Sequence, residues 1–216
     1  MPHAFAIFST ERGASLTPST LDPPPATLIE LEQDPTLAGE YDPEASGDRS
    51  YYSVRQQLEK EGYTVDTVNL ATFTETLSAD TVDVLVVAGP TEPFLSEEAQ
   101  LVADYVAGGG AAFVLVDPGI ESNLDQVLAP WDVTLQDDLV IQQSIFGLDN
   151  NVVVQGEAYQ FHSLTRDMKT QSVFPAARSL TTGTPVTTSL QTSALIQLSE
   201  GVWGETDFEA LSRGEV

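Results

Sequence analysis

The sequence predicts an α/β fold, an open parallel sheet followed by a β-rich extension, on three observations. Val82 to Ala88 and Ala111 to Val116 are almost unbroken apolar runs rich in β-branched residues, the pattern of strands buried on both faces. The segment between them reads as one helix. Ser96 is placed to cap it, Glu97 and Glu98 suit its positive end, and Leu101, Val102, Tyr105 and Val106 form one apolar stripe, with Gly108-Gly109-Gly110 as the stop. Strand, helix and strand within about 35 residues make a right-handed βαβ unit. Beyond about residue 131 the texture changes to Val-, Thr- and Gln-rich segments separated by turn signals, which predicts a mixed β-rich extension, 132–216, after a parallel core, 1–131.

In chain order, Ala4 to Ser9 reads as the first buried strand, ending in Thr10-Glu11-Arg12-Gly13. Ala14 to Gly47 is rich in Pro, Thr, Ser and acid without one Lys or Arg, and reads as a loop, either a flap or a loosely docked excursion. Tyr51, Val54 and Leu58 then line one face of a helix ending near Gly62. Thr64 to Leu70 is the second strand, and Ala71 to Thr81 a short helix and loop. Leu124 to Trp131 predicts another helix with Pro130 near its end. In the extension, Val133 to Ser144, Asn151 to Gly156, Ser172 to Leu180 and Pro185 to Ser193 read as strands.

A chain of 216 residues with 41% apolar content can supply a real core. No apolar run approaches the roughly 18 residues of a membrane span, so no direct membrane insertion by this segment is expected. Acids outnumber bases 33 to 8, a net charge of −25, with Lys60 and Lys169 the two lysines. Such a field repels nucleic acid and anionic membrane surfaces. A salt-adapted proteome and a surface facing the cell exterior both explain the acidity. Without cysteine there is no disulfide, thiolate metal site or cysteine nucleophile.

The chemistry-bearing motifs are few. Gly108-Gly109-Gly110 follows a helix and precedes a strand, the reverse of a phosphate-binding loop, and no Gly-Lys-Ser/Thr or Gly-x-Ser-x-Gly occurs. No cofactor and no metal are therefore expected. His3 and His162 lack the paired spacing of a zinc site, and His162 reads either as a catalytic imidazole or as a hydrogen-bonded turn residue. Glu40, Asp42 and Glu44 alternate but lack the ligand count and glycine of a calcium loop.

A geometric argument remains. In an open sheet of flavodoxin-like order the first and third strands flank the point where strand order reverses, and the loops at their carboxyl ends form a crevice. Those loops would be Thr10-Glu11-Arg12-Gly13 and Gly89-Pro90-Thr91-Glu92, with Asp117 next door. The candidate ligand-binding set is thus Thr10, Glu11, Arg12, Gly13, Pro90, Thr91, Glu92 and Asp117. Arg12, a scarce cation, either binds an anionic group or pairs with Glu92 or Asp117. A hydrolase acting on a sugar or peptide through Glu11, Glu92 or Asp117 is the enzymatic alternative.

At these residues a family resemblance emerges. Asp83-Val-Leu-Val-Val-Ala-Gly-Pro90, Leu95-Ser-Glu-Glu98, Tyr105-Val-Ala-Gly-Gly109 and Val114-Leu-Val-Asp-Pro118 resemble the auxiliary, substrate-binding-like domain of uncharacterised ABC transport systems related to gliding motility. Phe8 to Gly13, Tyr52 to Leu70, Asn123 to Leu128, His162-Ser-Leu-Thr165, Phe174-Pro-Ala-Ala-Arg178-Ser179 and Trp203-Gly-Glu205-Thr206 are similar to further patches of that family, in order. The resemblance implies a fold like the class I amidotransferase and flavodoxin-like group. It also implies a non-catalytic binding or scaffolding role, with a small saccharide or peptide as ligand and an ABC permease and ATPase as partners. The location it implies is the extracytoplasmic side of the membrane, with anchoring segments beyond this chain; the cytoplasm of a salt-adapted organism is the alternative. Trp203 is expected to pack on the core and Glu205 to be hydrogen-bonded or paired with Arg178.

Overall fold

A computed structural model describes residues 4–6, 27–31, 52–68, 70, 77–145, 147–198 and 200–214. The chain divides into two compact units, one of residues 9–115 and one of 1–8 with 116–216.

The first unit holds a four-stranded parallel sheet. β2 (Thr27–Leu31) pairs on one side with β3 (Thr64–Val68) and on the other with β4 (Val84–Ala88), which pairs in turn with β5 (Ala111–Leu115). α1 (Tyr52–Lys60) leads into β3, and Arg55 joins the two: Nη2 donates to the Val65 carbonyl at 3.0 Å while Nε bonds Glu59 one turn on. α2 (Ser96–Ala107) connects β4 to β5 and buries Ala99, Val102, Tyr105 and Val106. Its cap is Leu95 rather than Ser96: the Glu98 carboxylate reaches back to accept the Leu95 N–H at 2.8 Å. At the far end Gly109, at φ 95, lets the N–H groups of Gly109 and Gly110 close on the carbonyls of Val106 and Tyr105. The Tyr105 ring is 1% exposed, and its hydroxyl lies 3.1 Å from the carbonyls of both Val82 and Ala111, which fixes the helix to the starts of β4 and β5.

The second unit is antiparallel throughout its described pairings. β1 (Ala4–Ala6) lies between β12 (Ala194–Gln197) and β11 (Leu180–Thr182), with β6 (Val133–Leu135) outside β11. β7 (Leu139–Ser144) pairs with β8 (Gly147–Asp149) and β13 (Val202–Glu205), and β9 (Asn151–Val154) with β10 (Ser172–Pro175). α3 (Asp125–Leu128) runs into a tight turn at Ala129–Trp131, and α4 (Phe208–Arg213) follows β13. Val140, Val152, Val154 and Ile196 form a core cluster, burial worth about 1.5 to 3 kcal/mol for each large side chain.

The expected fold class needs correction. The chain does not form an open flavodoxin-like, amidotransferase-like sheet: among the described residues nine strands of thirteen lie in three small antiparallel sheets, and the parallel one has four strands. Ala4–Ala6 pairs antiparallel in the second unit, because a short apolar run carries no preference of direction. Its expected place is taken by Thr27–Leu31, which sequence reading left inside a Pro-rich loop. Burial also differs. Leu85 and Val87 are buried, but Val84 and Val86 are half-buried and Phe113 and Leu115 are 38% exposed, so neither β4 nor β5 is buried on both faces. Pro185–Ser193 is turn rather than strand, with the Thr187 and Ser189 hydroxyls 2.9 Å apart. The compact units change at 115/116, ahead of the change in texture near 131, because residues from 116 onward bond and pack within the second unit. Leu124, Val127, Leu128 and Trp131 are all buried.

Candidate functional site

The carboxyl end of β4 is the part of the expected crevice that is described. Gly89, at φ 59, turns the chain and donates to the Leu115 carbonyl at 3.0 Å. Pro90 is buried, Thr91 and Glu92 are exposed, and Phe94 returns to the core before α2. This geometry puts a polar turn at a strand end and beside a helix N-terminus. The first turn of that helix carries Glu97 and Glu98, and Glu98 already accepts the Leu95 N–H. With Glu92 nearby in sequence, this end suits a neutral or cationic group and opposes a phosphate.

Thr10, Glu11, Arg12 and Gly13 lie outside the described residues, as do Glu40, Asp42 and Glu44. Asp117 is exposed and belongs to the second unit, where its carbonyl accepts from Arg178 Nη1 at 3.2 Å.

The family-like motifs of the second unit are engaged internally. Arg178 spends its guanidinium on backbone carbonyls: Nε reaches Gln136 at 2.8 Å and Nη1 reaches Ile120 at 3.1 Å as well as Asp117, while Nη2 shares the Gln136 oxygen. It does not pair with Glu205. Glu205 instead accepts from the Asp207 N–H at 2.8 Å and from Trp203 Nε1 at 3.3 Å, and these donors, the Asp207 N–H first, hold its pKa below the ordinary value. Asp207 in turn caps α4 by accepting from the Ala210 N–H at 2.8 Å. His162 Nδ1 accepts the Leu164 N–H at 3.2 Å, which makes it a turn residue.

Sequence reading missed a buried carboxylate. Asp138 is buried in the second unit and accepts both the Ser179 N–H at 2.7 Å and the Ser179 hydroxyl at 2.6 Å, with Gly204 packed so closely on the carboxylate that a Cβ there would overlap it. In sequence Asp137-Asp138 looks like two solvated acids. The available signal was Ser179-after-Arg178, within a patch already singled out.

Carboxylates with displaced pKa values, Asp149 and Glu205, are both lowered by N–H donors. A general acid needs the opposite shift. Among the described residues no group of three or more His, Asp or Glu side chains is arranged to hold a metal ion.

The fold is similar to that of a solved structure described as the mmIFT52 N-terminal domain, with a TM-score of 0.54 at 15% identity, covering 87% of this chain and 93% of that one. At that identity the likeness concerns fold alone. No curated protein sequence matches. The model of a family described as an ABC-type uncharacterized transport system matches residues 29–195, and the chain belongs to that family. It is an auxiliary component of an ABC-type transport system, with membrane transporter subunits as partners.

Proposed function

We propose that this chain is a non-catalytic binding or scaffolding domain that works beside the permease and ATPase of its transport system, on the extracytoplasmic side of the membrane. One observation carries the reading. The polar side chains of the family-like motifs, Arg178, Ser179, Glu205 and His162, are consumed in internal hydrogen bonds instead of converging on a point where a bond could be broken. Family membership supplies the transport context. The net charge of −25 agrees with a surface held in solvent and kept off anionic lipid.

For a ligand, the candidate position is the strand-end turn at Pro90, Thr91 and Glu92, with Thr10 to Gly13, outside the described residues, as further members of the set. The acids at this end favour a neutral saccharide or a basic peptide over an anion. Calorimetric titration with a panel of oligosaccharides and short peptides, repeated on Glu92→Ala and Arg12→Ala, tests this: a hit weakened by either substitution supports the site. Turnover of a sugar or peptide abolished by Glu92→Gln or Asp117→Asn would overturn the non-catalytic reading.

A further inference from the structure

The acids of this chain are unevenly spread. Of the 33, only Asp167 falls between Ala158 and Ser199, a stretch that carries the bases Arg166, Lys169 and Arg178. The same stretch holds the chain's most exposed aromatic side chain among the described residues, Phe161 at 94%, with Leu164 at 53% and Met168 at 43%.

These three side chains belong to one built loop. The Gln160 N–H bonds the Leu195 carbonyl at 2.8 Å, which ties the start of the loop to β12, and the buried Thr165 turns its hydroxyl back onto the Gln160 carbonyl, which closes the turn on that anchor. Thr165 and Arg166 donate to the His162 carbonyl and Met168 to that of Thr165, which makes the segment a run of hydrogen-bonded turns. Phe161, Leu164 and Met168 are all exposed on this one short turn segment. Arg166 makes an exposed pair with Asp167 at 3.3 Å, a contact weak enough in water to be exchanged for another acid.

We infer that the Phe161–Lys169 loop is a protein-docking knob, whose apolar side chains enter a hydrophobic pocket rimmed by acidic residues on a membrane subunit of the same transport system. The inference rests on the proposed scaffolding role and names the surface that carries it. An anchored loop presenting one aromatic and two flexible apolar side chains has the form of an interface hot spot, with Arg166 and Lys169 at its polar rim. An anionic bilayer fits less well. Two loop cations are too few to hold a molecule of net charge −25 against a negative surface.

The absence of cysteine makes the test direct. Phe161→Cys, Leu164→Cys and, as control, Val54→Cys on the exposed side of α1 are each expressed with the permease and ATPase of the system and treated in membranes with a short thiol-to-amine cross-linker. Positions 161 and 164 are expected to cross-link to a transporter subunit and position 54 not to. Phe161→Ser should weaken co-purification with that subunit about thirtyfold, and Arg166→Glu with Lys169→Glu should weaken it most at low salt. Cross-linking only to a second copy of the chain overturns the inference. So does binding of the wild-type chain to protein-free vesicles of phosphatidylcholine and phosphatidylglycerol that Phe161→Ser abolishes. Co-purification that is normal in every loop variant overturns the docking knob alone; a wild-type chain that does not co-purify with the system overturns the scaffolding reading beneath it.

Discussion

Gly110 lies directly against the ring of Tyr105, so closely that a Cβ at position 110 would overlap Cζ and both Cε atoms. Glycine is required there by space. Gly110→Ala must push the ring away from the carbonyls of Val82 and Ala111, and is expected to cost about 1 to 3 kcal/mol in urea unfolding. In a Tyr105→Leu background the same substitution should cost distinctly less, since the two positions are in contact and couple. Equal cost in both backgrounds would place the damage elsewhere.

The same ring provides a pH dependence. Burial, with the charge of Asp83 adding, pushes the Tyr105 hydroxyl up to about 12 from the ordinary 10.0. The neutral form is favoured in the fold, so its stabilisation is whole below pH 10 and is lost as pH rises from 10 through about 12. The loss should total on the order of 2 kcal/mol. Tyrosinate absorbance during alkaline titration is expected to show one late step that coincides with unfolding and disappears in Tyr105→Phe. A single step at the ordinary position for all tyrosines would refute the burial argument.

How far the sequence discloses this molecule depends on whether a feature is local. The end of α2 was legible because three glycines after an apolar stripe have one physical use. The parallel pairing of Val84–Ala88 with Ala111–Leu115 was legible from two apolar runs around a helix. Strand membership was not. Ala4–Ala6 offers three apolar residues that suit either direction, and Thr27–Leu31 is five residues set among prolines and acids. The exposure of Phe113 depends on what covers the sheet, which its own strand cannot reveal. In the candidate site, a turn at Gly89 to Glu92 follows from the strand before it. Arg178 was misread because its partners are carbonyls, and a pairing logic built on side-chain charges has no way to find them.

Glu205 should report acidification. Its carboxyl sits below the ordinary value because it accepts from the Asp207 N–H and Trp203 Nε1, so the stabilisation is present above the ordinary carboxylate range and is lost as pH falls through the lowered folded value. In a Trp131→Phe background, Trp203 fluorescence is expected to shift at a pH below that of an unperturbed glutamate. Glu205→Gln should remove the shift while leaving the neutral-pH spectrum folded. A midpoint at the ordinary glutamate position would mean that the two donors do not hold the carboxylate.

Arg178 distinguishes a clasp from a ligand contact. Its guanidinium serves the carbonyls of Gln136, Asp117 and Ile120, three points 16 or more residues apart in two of the three pairings, and only a planar fork can reach them together. Arg178→Ala leaves those carbonyls to solvent or unpaired and is expected to cost about 2 to 4 kcal/mol, since hydrogen bonds from a charged donor are each worth about 1.5 to 3 kcal/mol. Arg178→Lys should recover only part, because an ammonium on a flexible stem cannot hold all three. Both costs are read from thermal or urea unfolding of the chain without any ligand. If Arg178→Ala were as stable as the wild type and instead abolished binding of a saccharide or peptide, the side chain would belong to a binding site, and the internal clasp would be wrong.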